Sequence, residues 1–185
     1  MGEHDVLSDH MVLIGSSIFA FWPEHKLTSL PIRNNAIPGL ITPELRSMLP
    51  HVVRRSPVAV IYCGSNDIRL GHDPARVADR IRNIADDIMR SNPEAHVVVV
   101  GAIRSPDQSH QRVTAFNDAC TAVCAEHASR CTFVDVNPVL EGRPECFLDD
   151  DVHLTDVGYD NMGGVLLPIL ADVWRRITSQ RLARL

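Results

Sequence analysis

The 185-residue chain lacks several things, and each lack removes a class of protein. No apolar run approaches the ~20 residues a membrane-spanning helix needs, so stable insertion into a bilayer is not expected. No stretch near the N-terminus joins a basic start to an apolar centre as a secretory signal does, which points to a cytoplasmic protein. Basic residues are in deficit: 18 Lys and Arg face 23 Asp and Glu, a net charge of −5, against a protein that grips nucleic acid by its phosphates. The arginines near the end (Arg175, Arg176, Arg181 and Arg184) read as the solvated face and tail of a last helix. Cysteine is odd in number (Cys63, Cys120, Cys124, Cys131 and Cys146), with no Cys-x-x-Cys and no His-x₃-His. That fits reduced thiols, with Cys120 and Cys124 on one helix face in a core rather than on a metal. Repeats, low-complexity tracts and internal linkers are also missing. A single domain over 1–185, its core about 10–178, is expected.

What is present is an alternation. Continuous apolar runs occur at Met11 to Ile14, Val58 to Tyr62, Val97 to Val100 and Thr132 to Val136, with a weaker one at Thr28 to Ile32. Helical segments lie between them. Thr42-Pro43-Glu44 reads as an N-cap followed by proline in the first turn, opening a helix to about Leu49. Asp73-Pro74 opens another, in which Val77, Ile81, Ile84, Ala85 and Ile88 fall at helical spacing. A third runs from about Asp107 to His127, and the last from about Asp156 through Trp174, weakened by Gly163-Gly164 and Pro168. Apolar strands alternating with helices mean a parallel sheet covered on both faces.

Such folds put their ligands beyond the carboxyl ends of the strands. Gly15-Ser16-Ser17-Ile18 follows the first run, Asn34 to Gly39 the second, and Gly64-Ser65-Asn66-Asp67 the third. Asp149-Asp150-Asp151-Val152-His153 lies between the last run and the last helix. Together they supply a serine, a glycine N–H, an asparagine amide and an aspartate–histidine pair. Those are the parts of acyl transfer: nucleophile, base, base-orienter and oxyanion donors.

This pattern resembles the SGNH (GDSL-type) serine hydrolases, whose hallmark is four separated blocks centred on Ser, Gly, Asn and His in that order. Gly15-Ser16-Ser17-Ile18 matches the Gly-Asp-Ser-Leu block, with Ser16 in place of the aspartate and Ile18 in place of the leucine. Asn35-Ala36-Ile37-Pro38-Gly39 matches the second block, Gly64-Ser65-Asn66-Asp67 the third and Asp150-Asp151-Val152-His153 the fourth. The resemblance implies Ser17 as nucleophile, His153 as base, Asp150 as its orienter, and an oxyanion hole of Ser17, Gly39 and Asn66. It also implies a flavodoxin-like three-layer α/β/α sandwich, its five-stranded parallel sheet in the order 2-1-3-4-5. No cofactor or metal is expected, and the partner is a small-molecule ester. Oligomeric state has no signature in the chain.

Each block alone also has a structural reading. Ser17 could cap a helix, Gly39 serve a turn, Asn66 bond its own backbone, and Asp67 is expected to be a structural partner. The other histidines (His4, His10, His25, His51, His72, His96, His110 and His127) read as surface or loop residues, and Phe19, Phe21 and Trp22 as core rather than acyl-site lining. The Gly-x-Ser-x-Gly elbow of α/β-hydrolases is absent. Few insertions are available to build a lid or long acyl tunnel, which favours a small acyl group. Lysophospholipase-, thioesterase- or carbohydrate-deacylase-like hydrolysis, acyl transfer on the same serine, or a non-catalytic binding domain are the alternatives.

Overall fold

A computed structural model describes residues 10–53 and 56–183. Five strands, β1 (Met11–Gly15), β2 (Ile32–Asn34), β3 (Val58–Tyr62), β4 (His96–Val100) and β5 (Cys131–Val134), form one sheet in the order β2-β1-β3-β4-β5. Every pairing is parallel. The helices are α1 (Ser17–Ala20), α2 (Thr42–Val52), α3 (Ser65–Arg69), α4 (Pro74–Ser91), α5 (His110–Glu126) and α6 (Asp156–Leu182). This is the expected flavodoxin-like three-layer α/β/α architecture.

The central strands are buried on both faces because alternate residues enter different cores. Val12, Ile14, Ala59, Ile61, Val97 and Val99 pack with residues of α2, α4 and α5. Met11, Leu13, Val58, Val60, Val98 and Val100 pack on the other side with α1 and α6. Phe19 and Trp22 belong to this second core, and all five cysteines are buried and free.

Several expectations are corrected. The second strand is Ile32–Asn34 rather than Thr28 to Ile32. Leu27 instead closes a 3-10 turn (Glu24–Lys26), and the strand starts after Pro31, whose carbonyl accepts from Met11 N–H at 2.9 Å. Thr42 is the first helical residue rather than the N-cap, since its hydroxyl is diverted to Asp67. The third expected helix begins at His110, and β5 ends at Val134. The last helix continues unbroken to Leu182. Its residues Tyr159, Met162, Leu166, Leu170, Val173 and Ile177 are buried at helical spacing. Pro168 lies on the exposed side, opposite the carbonyl of exposed Gly164, so solvent can satisfy the group the proline leaves unbonded. His96, expected at the surface or in a loop, is fully buried in β4 with its Nε2 2.8 Å from Thr132 Oγ1. Burial and the neighbouring Arg176 and Arg130 push its imidazole down to about 4. Arg184 and His4 lie outside the described residues.

Candidate active site

β1 ends at Gly15, whose φ of +133° suits glycine. A Cβ there would stand 1.9 Å from the Tyr62 carbonyl oxygen, so only glycine lets the chain turn against the end of β3. The next residue is locked in the same place, with Ser16 N–H donating to Tyr62 O at 3.0 Å. Ser16 is therefore buried, at 2% exposure, while Ser17 opens α1 half-exposed. The two serines are distinguished by packing rather than by chemistry.

The loop after β2 is tied to the same end of the sheet. Asn35 N–H donates to Leu13 O and Ile37 N–H to Gly15 O, each at 2.9 Å. Asn34 Nδ2 donates to Phe19 O at 2.6 Å. Gly39 follows with φ +80°, exposed and free of neighbours at its Cβ position. Asn66, in the first turn of α3, donates through Nδ2 to Leu40 O at 3.0 Å, which brings the second and third blocks together and leaves one amide N–H for another acceptor. Beneath them sits Asp67, fully buried. Its carboxylate accepts from Thr42 N–H (3.0 Å), Thr42 Oγ1 (2.6 Å) and Arg80 Nη1 (3.0 Å), a structural role as expected.

The fourth block is a short reversal held by an isolated antiparallel bridge between Phe147 and Leu154. Asp151 takes a left-handed conformation at φ +58°, which aspartate tolerates better than most residues. Asp150 Oδ1 accepts from Val152 N–H (3.0 Å) and His153 N–H (2.9 Å), so its other oxygen is presented to the ring. His153 Nδ1 lies 2.6 Å from Asp150 Oδ2, and His153 Nε2 lies 3.0 Å from Ser17 Oγ. The ring and backbone donors of His153 and the Val152 N–H hold the Asp150 carboxyl down at about 2. A carboxylate that remains ionised fixes the tautomer with Nδ1 protonated, leaving Nε2 free to accept the serine proton. Phe21, 51% exposed rather than buried, stands edge-on to the His153 ring with centroids 5.3 Å apart. This corrects its expected place in the core.

All five singled-out residues thus come to one end of the sheet: Ser17, Asp150 and His153 in a continuous hydrogen-bonded line, Gly39 and Asn66 through the Leu40 contact. The segment after β4 reaches the same place. Ile103, Ser105 and Gln108 line a small cavity with Ser16, Ser17 and Asn66. It too is a strand end, but without a histidine, a glycine–asparagine pair or an aspartate run it carries no sequence signature. Among the described residues no cluster of His, Cys, Asp and Glu could hold a metal ion, and no helix is long and apolar enough to cross a membrane.

A fold and site of this kind define a serine hydrolase acting on ester bonds. The chain belongs to the GDSL-like lipase/acylhydrolase family, whose model matches residues 15–160. A search of curated proteins by sequence returned no match. Solved structures share the fold at low identity. A Streptococcus pneumonia protein described as a platelet activating factor candidate superposes with a TM-score of 0.81 at 20% identity, covering 90% of this chain and 86% of that one. The Clostridium thermocellum family 3 carbohydrate esterase gives 0.78 at 15%, covering 91% and 98%. An acetyl esterase mutant with an acetate ion gives 0.76 at 15%, covering 91% and 99%.

Proposed function

We propose that the chain hydrolyses carboxylic esters of small acyl groups, acetyl-like in size, through an acyl-enzyme on Ser17, without a cofactor and in the cytoplasm. The observation that carries this reading is the line Ser17 Oγ–His153 Nε2–His153 Nδ1–Asp150 Oδ2, with steps of 3.0 and 2.6 Å across its two hydrogen bonds. In the first half-reaction Ser17 Oγ bonds to the carbonyl carbon while its proton passes to His153 Nε2. The carbonyl π electrons move to oxygen, and the N–H groups of Ser17 and Gly39 and the Asn66 amide receive the oxyanion. Collapse of the intermediate breaks the ester C–O bond, and the departing alkoxide takes the proton from His153. In the second half water replaces the serine: it adds to the acyl carbon as His153 removes its proton, and the returning proton regenerates Ser17. Asp150 stabilises the imidazolium in both halves.

The cavity lined by Ser17, Tyr62 and Ile103 has room for about 10 Å³, close to one water molecule, which suits a short acyl group. The name acetyl esterase among the similar folds, in a structure with an acetate ion, agrees with a short acyl group. Exposed Phe21 beside His153 offers an apolar face to the alcohol part.

Esters of one chromogenic alcohol, from acetyl to long acyl, test the reading. The expected kcat/KM is highest for acetyl and falls with length, and Asn66→Ala lowers turnover ~10²-fold or more without loss of fold. Wild-type protein inactive on every ester, a preference for long chains, or a folded Asn66 variant at nearly full turnover would each contradict it.

A further inference from the structure

The small cavity at Ser17 is lined by polar side chains as well as by Ile18, Ile103 and Val152. Among the described residues three buried side-chain nitrogen or oxygen atoms have no hydrogen-bond partner: Trp22 Nε1, Ser105 Oγ and Gln108 Oε1. Two of the three belong to residues lining this one cavity. Both side chains are nine-tenths or more buried, Ser105 at 2% and Gln108 at 9% exposure. Unpartnered buried polar atoms are rare, and a pair of them in one place calls for an explanation.

We propose that this cavity is a polar acyl subsite, in which Gln108 and Ser105 recognise a hydroxyl on the carbon next to the ester carbonyl, so that the preferred acyl group is 2-hydroxyacetyl (glycolyl). The proposal rests on the esterase reading above, with Ser17 as nucleophile. Gln108 Nε2 is already committed to Ser65 Oγ at 2.5 Å, which orients the amide and leaves its oxygen as an unused acceptor. Gln108 N–H closes a turn onto the Ser105 carbonyl at 3.0 Å, so the two side chains are held by one short piece of backbone. A substrate hydroxyl can donate to Gln108 Oε1 and accept from the Ser105 hydroxyl, satisfying both. Exchanging the nitrogen and oxygen of the Gln108 amide turns that acceptor into a donor and still serves a hydroxyl. A methyl group serves neither.

Size makes the same choice. With the acyl carbons held at Ser17, room for about one water-sized group admits one further heavy atom, and polarity decides whether that atom is oxygen or carbon. Glycolyl and propionyl are nearly isosteric and differ in that atom. A site built to bond a hydroxyl rejects an analogue lacking it far more strongly than an apolar pocket discriminates a methylene.

The experiment measures kcat/KM for acetyl, propionyl and glycolyl esters of one alcohol, each divided by its rate of alkaline hydrolysis to remove intrinsic reactivity. The wild type is expected to favour glycolyl over propionyl by ~10-fold or more, and Gln108→Met, which keeps side-chain volume, to bring the ratio close to one. Ser105→Ala, which removes a single oxygen, is the second variant and is expected to lower the same ratio; circular dichroism and Tm confirm that each is folded. A wild-type ratio near one, as a cavity holding only a structural water would give, overturns the subsite and leaves the esterase reading standing. A high ratio unchanged in both variants overturns the assignment to these residues. No hydrolysis of any of the three esters overturns the esterase reading, and the subsite with it.

Discussion

Two aspartates, Asp67 and Asp150, each accept three hydrogen bonds, yet they belong to opposite kinds of structure. Asp67 is fully buried, and its donors, Thr42 and Arg80, are 25 and 13 residues away in the chain. Asp150 has a side chain 47% exposed, and its three donors all come from Val152 and His153. The first carboxylate joins the start of α2, just after the loop bearing Gly39, to the helix bearing Asn66 and to α4. The second organises only its own reversal and the ring that faces Ser17. A charge that ties distant segments inside the core holds the fold. One that ties neighbours at the surface sets the orientation of a reactive group, at little cost to the fold if it is lost. The segments bearing Gly39 and Asn66 are therefore tied to the core, while the Asp150–His153 pair is mounted on an accessible loop.

The largest effect that could break this comparison is on activity. Asp150→Asn is expected to lower kcat by ~10⁴-fold, because the ring loses the partner that sets its tautomer. Its Tm should stay within about 2–4 °C of wild type, since an exposed pair contributes ~0–1 kcal/mol. Thermal denaturation beside steady-state kinetics reads both, and a Tm collapse matching the activity loss would erase the distinction between the aspartates.

Asp67→Ala is the mirror experiment. It strands the Thr42 N–H and hydroxyl and leaves Arg80 without its buried partner, an expected cost of roughly 3 kcal/mol, or a Tm fall of ~6–12 °C. A folded Asp67→Ala protein with wild-type Tm would show that the attachment of the Gly39 and Asn66 segments to the core does not depend on this carboxylate.

A smaller effect sharpens the comparison by pH. His96 is fully buried, and its folded-state value of about 4 lies below the ~6.5 of a free imidazole. The unfolded chain therefore binds a proton more readily, so His96 contributes stability above about pH 6.5 that is lost as pH falls toward 4. Urea unfolding at pH 7 and pH 4.5 should show a drop in wild type that is smaller in His96→Asn, and equal drops would contradict it. Asp150, held at about 2, stays ionised through this window.

Legibility in the sequence followed the same division. Gly15, Ser17, Gly39 and Asn66 were readable because each lies in a short local pattern following a strand, and Asp150 and His153 because theirs lies just before the last helix. What escaped depends on long-range packing. Five residues of α3 are too few to show a helical period, and β2 lies at the sheet edge, where half-exposed residues blur the alternation. Gly164 and Pro168 read as helix breakers until their exposed face is known. The burial of His96 depends on pairing with Thr132 of the next strand. Likewise Ser105 and Gln108 acquire meaning only from hydrogen bonds they do not make.

The most direct measurement compares kcat/KM on an acetyl ester for wild type, Ser17→Ala and Ser16→Ala. Ser17 faces His153 Nε2 at 3.0 Å, whereas Ser16 is buried under Tyr62. The account predicts a loss of ~10⁴-fold or more for Ser17→Ala, as for removal of a nucleophile, and of under about tenfold for Ser16→Ala. A Ser17→Ala enzyme that keeps nearly full rate, or a loss confined to Ser16→Ala, would contradict it.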